Sequence, residues 1–177
     1  MGLGELGYDQ GAPASYEIQM RALRAQLSLP EAKGKPVVLH IRCDDENGPK
    51  VIKDIQQELL QAGEPQTQKV QLHAFDMPEG LPLWSSFKEL HVSVAGNCLR
   101  RANTQFLRRV RPDRLLVETD APYLVPPEFQ RKAPQLHNTP YMMGPVLERL
   151  AMSFDIEPED MARRLHQNAV RFFGLEA

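Results

Sequence analysis

Cysteine is scarce in this sequence: among 177 residues there are two, Cys43 and Cys98, far apart and without a Cys-x-x-Cys spacing. That excludes a disulfide-stapled secreted scaffold and a thiolate zinc site, and it fits a reducing interior, cytoplasmic or nuclear. Long apolar runs are missing as well. Nowhere do the roughly 18 consecutive apolar residues of a membrane-spanning helix occur, and the opening MGLGELGYDQ lacks the basic start and apolar block of a signal peptide. Neither sign of charge dominates, with 21 Lys and Arg against 23 Asp and Glu. A polybasic nucleic-acid coat and an acidic tail are thereby excluded, though a local basic patch is not. Low-complexity segments, internal repeats and linkers are also lacking, so residues 1–177 read as one domain with enough apolar residues, 42%, for a sizeable core.

What is present is an alternation of short apolar runs with amphipathic stretches, the pattern of successive βα units and a parallel sheet. Strands are predicted at residues 3–6, 36–41, 69–73, 91–95 and 114–118. Tyr16, Met20, Leu23 and Leu27 recur at helical spacing, and Val51, Ile52, Ile55, Leu59 and Leu60 form a second stripe ended by Gly63. A short helix is expected over residues 83–90, and another, capped by Asn103, carries Phe106, Leu107 and Val110. The prolines of residues 122–140 predict a long loop. Two helices close the chain, one marked by Met142, Met143, Val146, Leu147 and Leu150. The other starts at Pro158 and carries Met161, Leu165 and Phe172.

Four of the five predicted strands end in a histidine or a carboxylate: Glu5, His40, His73 and Asp120. In a parallel α/β barrel the carboxyl ends of all strands converge on one face, where active sites of this architecture form. Two imidazoles and two carboxylates converging there suit a divalent cation, with the mixed nitrogen and oxygen set favouring Zn²⁺ or Mn²⁺ over Mg²⁺. Any one of these residues alone is more simply a polar strand end or a cap; all four at equivalent positions are harder to explain so. His91 opens its strand instead of ending it, and His166 falls within the last helix, so both read as structural.

These residues sit in pieces of sequence that resemble the TatD family of metal-dependent deoxyribonucleases. Gly4-Glu5-Leu6-Gly7-Tyr8-Asp9 resembles the family's G-E-x-G-L-D-Y, Pro36-Val37-Val38-Leu39-His40-Ile41-Arg42 its P-x-x-I-H-x-R, and His73-Ala74-Phe75 its H-C-F. Glu118-Thr119-Asp120-Ala121-Pro122-Tyr123-Leu124 matches E-T-D-x-P-Y-L nearly letter for letter; Asn138-Thr139-Pro140 resembles N-E-P, and Asn168 with Phe172-Phe173 the closing N-x-x-x-x-F. The resemblance implies a TIM-type (β/α) barrel hydrolase that cleaves phosphodiester bonds in DNA, as an exonuclease, with a divalent metal pair (Mg²⁺, Mn²⁺ or Zn²⁺). In that reading Glu5 bridges or binds metal, His40 and His73 ligate it, and Asp120 binds metal and manages the proton of the attacking water. RNA is left open as a second substrate, and the oligomeric state is not specified.

Arg42, two residues beyond His40, suits a phosphate or, equally, a salt bridge at the rim. Tyr123 could stack on a base or pack on its own loop, and the resemblance implies a substrate contact for Asn138. Arg100, Arg101, Arg108, Arg109, Arg111 and Arg114 form the one dense basic stretch, either a DNA-backbone patch or a solvated face. The five histidines, at 40, 73, 91, 137 and 166, contain no H-x-H pair, the element with which family members begin. A complete eight-stranded barrel takes about 250 residues, so an incomplete barrel of about five βα units is expected, truncated at the amino terminus relative to the family. Two other functions fit such a chain: an amide or ester hydrolase of the same barrel type, and an inactive scaffold.

Overall fold

The structure, a computed structural model, describes residues 2–63, 65–99, 104–133 and 135–176. Its residues fall into two compact units. One comprises the chain up to His73 together with Met77–His91; the other comprises Ala74–Asp76 and the chain from Val92 onward.

In the first unit β1 (Leu3–Asp9), β2 (Val37–Arg42) and β3 (Val70–His73) pair in parallel, β2 between the other two. Side chains alternate strictly along β2. Val37, Leu39 and Ile41 are buried, whereas Val38 and His40 are half-buried and Arg42 is exposed. Helix α1 (Tyr16–Leu27) starts where the Ser15 hydroxyl accepts from the Ile18 amide, and it buries Met20, Leu23 and Leu27 along one stripe. Pro49 stands in the first turn of α2 (Gly48–Ala62), where its missing N–H is not needed, and Val51, Ile52, Ile55 and Leu59 carry that helix into the core. Trp84 closes the unit, fully buried and edge-on to Phe87.

In the second unit Val92, Ser93 and Val94, the part of β4 (Leu90–Val94) that belongs to it, pair in parallel with Leu115, Leu116 and Val117 of β5 (Leu115–Val117). Helices α5 (Met143–Phe154) and α6 (Pro158–Phe173) pack there through Val146, Leu150, Met161, Leu165 and Phe172. Asn168 is wholly buried; its amide donates to the carbonyls of Pro112 and Leu115, both at 2.8 Å, which ties α6 to the start of β5. Between these elements lie two short helices, α3 (Thr104–Leu107) and α4 (Pro127–Lys132).

The α/β class and the parallel pairing agree with the sequence. Three expectations change. Residues 83–90 form no α-helix; a 3-10 segment, Pro78–Trp84, is followed by i to i+3 turns, and Pro82 inside that segment has no N–H for an α-helical ladder there. The proline-rich residues 122–140 do include a helix, α4, for which Pro127 serves as first-turn residue instead of breaker. Finally, β1 runs on past Leu6 to Asp9. Arg100, Arg101 and the predicted cap Asn103 lie outside the described residues. Of the other arginines in the basic stretch, Arg108 donates to the Ser153 carbonyl and Arg111 pairs with Asp113. His91 is buried, and His166 is exposed on α6. Among the described residues no helix is long and apolar enough to cross a membrane.

Helices α1 and α2 are joined by a two-pronged ion pair in which Arg24 Nε and Nη2 reach the Glu58 oxygens at 2.8 and 2.6 Å. Glu58 is almost fully buried, and the Arg24 hydrogen bonds hold its carboxyl below the usual carboxylate range against the opposing effect of burial. A carboxyl depressed in the folded state stabilises above its unfolded pKa, about 4.3, and that contribution disappears as pH falls through the folded value. Glu58→Gln should therefore lower the urea midpoint at neutral pH, with the difference from wild type shrinking as the pH is brought down to about 3.

Candidate metal centre

Period-two alternation determines which side chains of the first unit meet. Gly7 pairs with His40 and Asp9 with Arg42, while His40 pairs with His73 on the other side. Glu5, Gly7 and Asp9 therefore share a face with His40 and Arg42, opposite the face on which Leu6, Leu39 and Ile41 are buried. A register irregularity between Leu3 and Leu6 allows β1 one residue more than β2 there. The strands can close up at Gly7 because it has no side chain: its φ is +143°, and a Cβ would fall on the His40 carbonyl oxygen.

The result is a three-residue cluster. Glu5, His40 and His73 each offer a ligand atom, all within 4.8 Å of one another. Glu5 Oε1 lies 3.4 Å from His73 Nε2, and Glu5 Oε2 lies 3.7 Å from His40 Nδ1. The two rings are side by side, centroids 5.9 Å apart. These separations exceed a good N–H to O hydrogen bond, about 2.9 Å. They match the roughly 3.4 Å between two donors that each stand about 2.1 Å from a common cation at a tetrahedral angle. Two imidazoles and a carboxylate are a suitable donor set for a divalent ion, so residues and spacing both fit one. The cluster is graded in exposure, from His73 at 8% through His40 at 31% to Glu5 at 46%.

Behind it stands a residue the sequence reading quoted without a role. Asp9 Oδ2 is 3.3 Å from His40 Nε2, and its Oδ1 receives Arg42 Nε at 3.1 Å and the Gly11 amide at 2.7 Å. The Asp9 backbone is clamped in turn: its N–H donates to Gln19 Oε1, and its carbonyl accepts from Gln19 Nε2. Extending the alternation from Glu5 through Gly7 would have identified Asp9, had the strand not been ended at Leu6. Arg42 takes part in the rim salt bridge that the sequence allowed, with its side chain still 67% exposed.

Asp120 belongs to the second unit, directly after β5 and its Glu118-Thr119 extension. It has a left-handed backbone, φ +59°, and its carbonyl accepts from the Tyr123 amide. Tyr123 is 71% exposed. Asn138, expected to touch substrate, is buried and uses its whole amide on backbone. Its Nδ2 donates to the Thr119 and Tyr123 carbonyls at 2.6 Å each, and its Oδ1 accepts from the Thr139 amide. It thus fixes the loop that presents Tyr123. Glu118, also unassigned from sequence, accepts from the Ala74 amide at 2.6 Å and the Ser93 hydroxyl at 2.8 Å. Burial raises both thiols, Cys43 to about 11 and Cys98 to about 12, so neither is a ready thiolate nucleophile at neutral pH.

A family model described as TatD related DNase matches residues 1–174. The chain is 30% identical, over 98% of its own length and 66% of the relative's, to the 3'-5' ssDNA/RNA exonuclease TatD of Erwinia amylovora. It is also 30% identical to an uncharacterized metal-dependent hydrolase TatD of Mycobacterium tuberculosis, over 98% of this chain and 64% of that one. Among solved structures it resembles a TatD homologue from Escherichia coli (TM-score 0.79, 21% identity, 99% of this chain and 64% of the other). It likewise resembles an uncharacterized amidohydrolase from Saccharomyces cerevisiae (TM-score 0.78, 16% identity, 97% and 64%). The fold is thus the α/β fold of these TatD and amidohydrolase structures, and the chain spans about two-thirds of the length of the relatives it matches.

Because Gly7 meets the His40 carbonyl, Gly7→Ala should lower stability by roughly 1–3 kcal/mol, the cost of a strained backbone position. Urea unfolding measures that loss, and histidine NMR should show the His40 and His73 ring signals displaced while His166 is unchanged.

Proposed function

Since the chain belongs to the TatD related DNase family, we propose that it is a metal-dependent hydrolase of phosphodiester bonds in single-stranded nucleic acid. DNA is the principal substrate, RNA a second one, and degradation runs from the 3' end. The observation that carries this reading is the Glu5, His40 and His73 cluster, whose donor types and separations suit a divalent cation. In this reading residues 1–177 work as one hydrolase domain. Asp120 joins the three ligands on the strength of its E-T-D-x-P-Y-L motif. Glu5, His40 and His73 would hold one ion between them, and the family resemblance adds a second, with Glu5 shared; Mg²⁺, Mn²⁺ or Zn²⁺ would serve.

When bound, such ions supply Lewis acidity toward the phosphoryl group and make water a competent nucleophile near neutral pH. The chain's own residues do the rest. Asp120 takes the proton of the attacking water at its carboxylate. Arg42, oriented by Asp9 and largely exposed, holds a phosphate oxygen through its guanidinium. Tyr123 offers its exposed ring as a stacking platform for a base, and Asn138 contributes by holding the Tyr123 loop. The protonated state of Cys43 and Cys98 at neutral pH supports water over a thiolate as nucleophile.

A 5'-labelled single-stranded oligonucleotide tests this directly. Shortening from the 3' end should require Mg²⁺ or Mn²⁺, stop with EDTA, and fall about 10²–10⁴-fold in Asp120→Ala with the circular dichroism spectrum unchanged. Cleavage that persists in chelator or in that variant defeats the proposal, as does hydrolysis of small esters or amides with none of nucleic acid.

A further inference from the structure

The contacts of Asp9 carry an inference that rests on the metal-centre reading and goes beyond its ligands. An ionised carboxylate only accepts hydrogen bonds. The Asp9 Oδ2 that faces His40 Nε2 at 3.3 Å therefore favours the tautomer with hydrogen on Nε2, which leaves the Nδ1 lone pair directed toward Glu5 Oε2 at 3.7 Å. His73 presents the other ring atom, Nε2, to Glu5 Oε1. We infer that Asp9 is a positioning residue that selects the Nε2–H tautomer of His40, so that His40 ligates metal through Nδ1 while His73 ligates through Nε2.

Three features suit Asp9 to this role. Its carboxylate is fixed from the far side by the Gly11 amide at 2.7 Å and Arg42 Nε at 3.1 Å, so Oδ2 is held toward the imidazole. Its main chain is held by Gln19 through a reciprocal pair of hydrogen bonds at 2.8 and 3.0 Å. Its strand position is set by pairing with Arg42, two residues along from the pairing of Gly7 with His40. An imidazole whose second nitrogen is held by a carboxylate is both oriented and made a stronger donor, and loss of such a partner typically lowers metal affinity 10–100-fold. The same carboxylate orients Arg42, so Asp9 sets the direction of a proposed ligand and of a proposed phosphate contact together.

The test combines two measurements on the full chain. In ¹⁵N-histidine-labelled, metal-free protein in mildly alkaline solution, long-range ¹H–¹⁵N spectra should show His40 with hydrogen on Nε2. In Asp9→Ala the two tautomers should mix, while Asp9→Asn, whose amide oxygen can still accept, should largely restore the wild-type pattern. Calorimetry with Mn²⁺ should show roughly 10–100-fold weaker binding in Asp9→Ala and a smaller loss in Asp9→Asn. Hydrogen on Nδ1 of His40 in the wild type overturns the inference without reference to any variant. Unchanged tautomer and Mn²⁺ affinity in a folded Asp9→Ala overturns it too. Mn²⁺ binding unaffected by Glu5→Ala and His73→Ala instead defeats the metal-centre reading itself, and the tautomer measurement distinguishes the two failures.

Discussion

Register between adjacent parallel strands is the constraint from which the Glu5, His40 and His73 cluster follows. A slip of one residue in β1 against β2 would exchange the two faces, turning Glu5, Gly7 and Asp9 toward the packed core and Leu6 and Tyr8 toward the imidazoles. What resists the slip is the division of apolar from polar residues. Leu6 lies opposite Leu39, both almost wholly buried, and β2 continues that buried row through Ile41. The same pairing places His40 beside His73, so one choice of alignment brings residues from three separate stretches of sequence to a common point.

Layers of contact then fix side chains whose positions register alone leaves loose. Gln19 on α1 holds the end of β1, and Asp9 on that end touches His40 and Arg42. Gln10 and Asp44 bond reciprocally, which ties the turn after β1 to the turn after β2. Polar groups at the carboxyl ends of these strands thus restrain one another, while apolar contacts of α1 and α2 support the sheet from behind. In the second unit an equivalent task falls to single asparagines, Asn168 beneath β5 and Asn138 beneath the loop that follows Asp120.

How far this could be read from the chain differs by residue. Glu5, His40 and His73 were visible because each follows an apolar run, and parallel strands carry such positions to one face. Asp9 was hidden because Gly7 and Tyr8 interrupt the apolar run, so the strand seemed to stop before it. Asn138 was legible as a motif residue, but a motif does not record where its amide points, and here it points into the backbone. The prolines of residues 122–140 have two opposite effects on helices, depending on whether an N–H is required, and Pro127 occupies a position where none is. Asp120 is as legible by its motif as any residue in the chain.

Asn138 joins Thr119 and Tyr123 to Thr139, and its own N–H donates to the Pro122 carbonyl. The two ends of the stretch between are therefore stitched together, while Val125 is buried and Glu128 pairs with Arg149. Closing a longer loop costs only about 0.6 kcal/mol for each doubling of length. The cost of bringing those ends together thus depends little on how many residues lie between them, and what the stitching fixes is Tyr123 against Asn138.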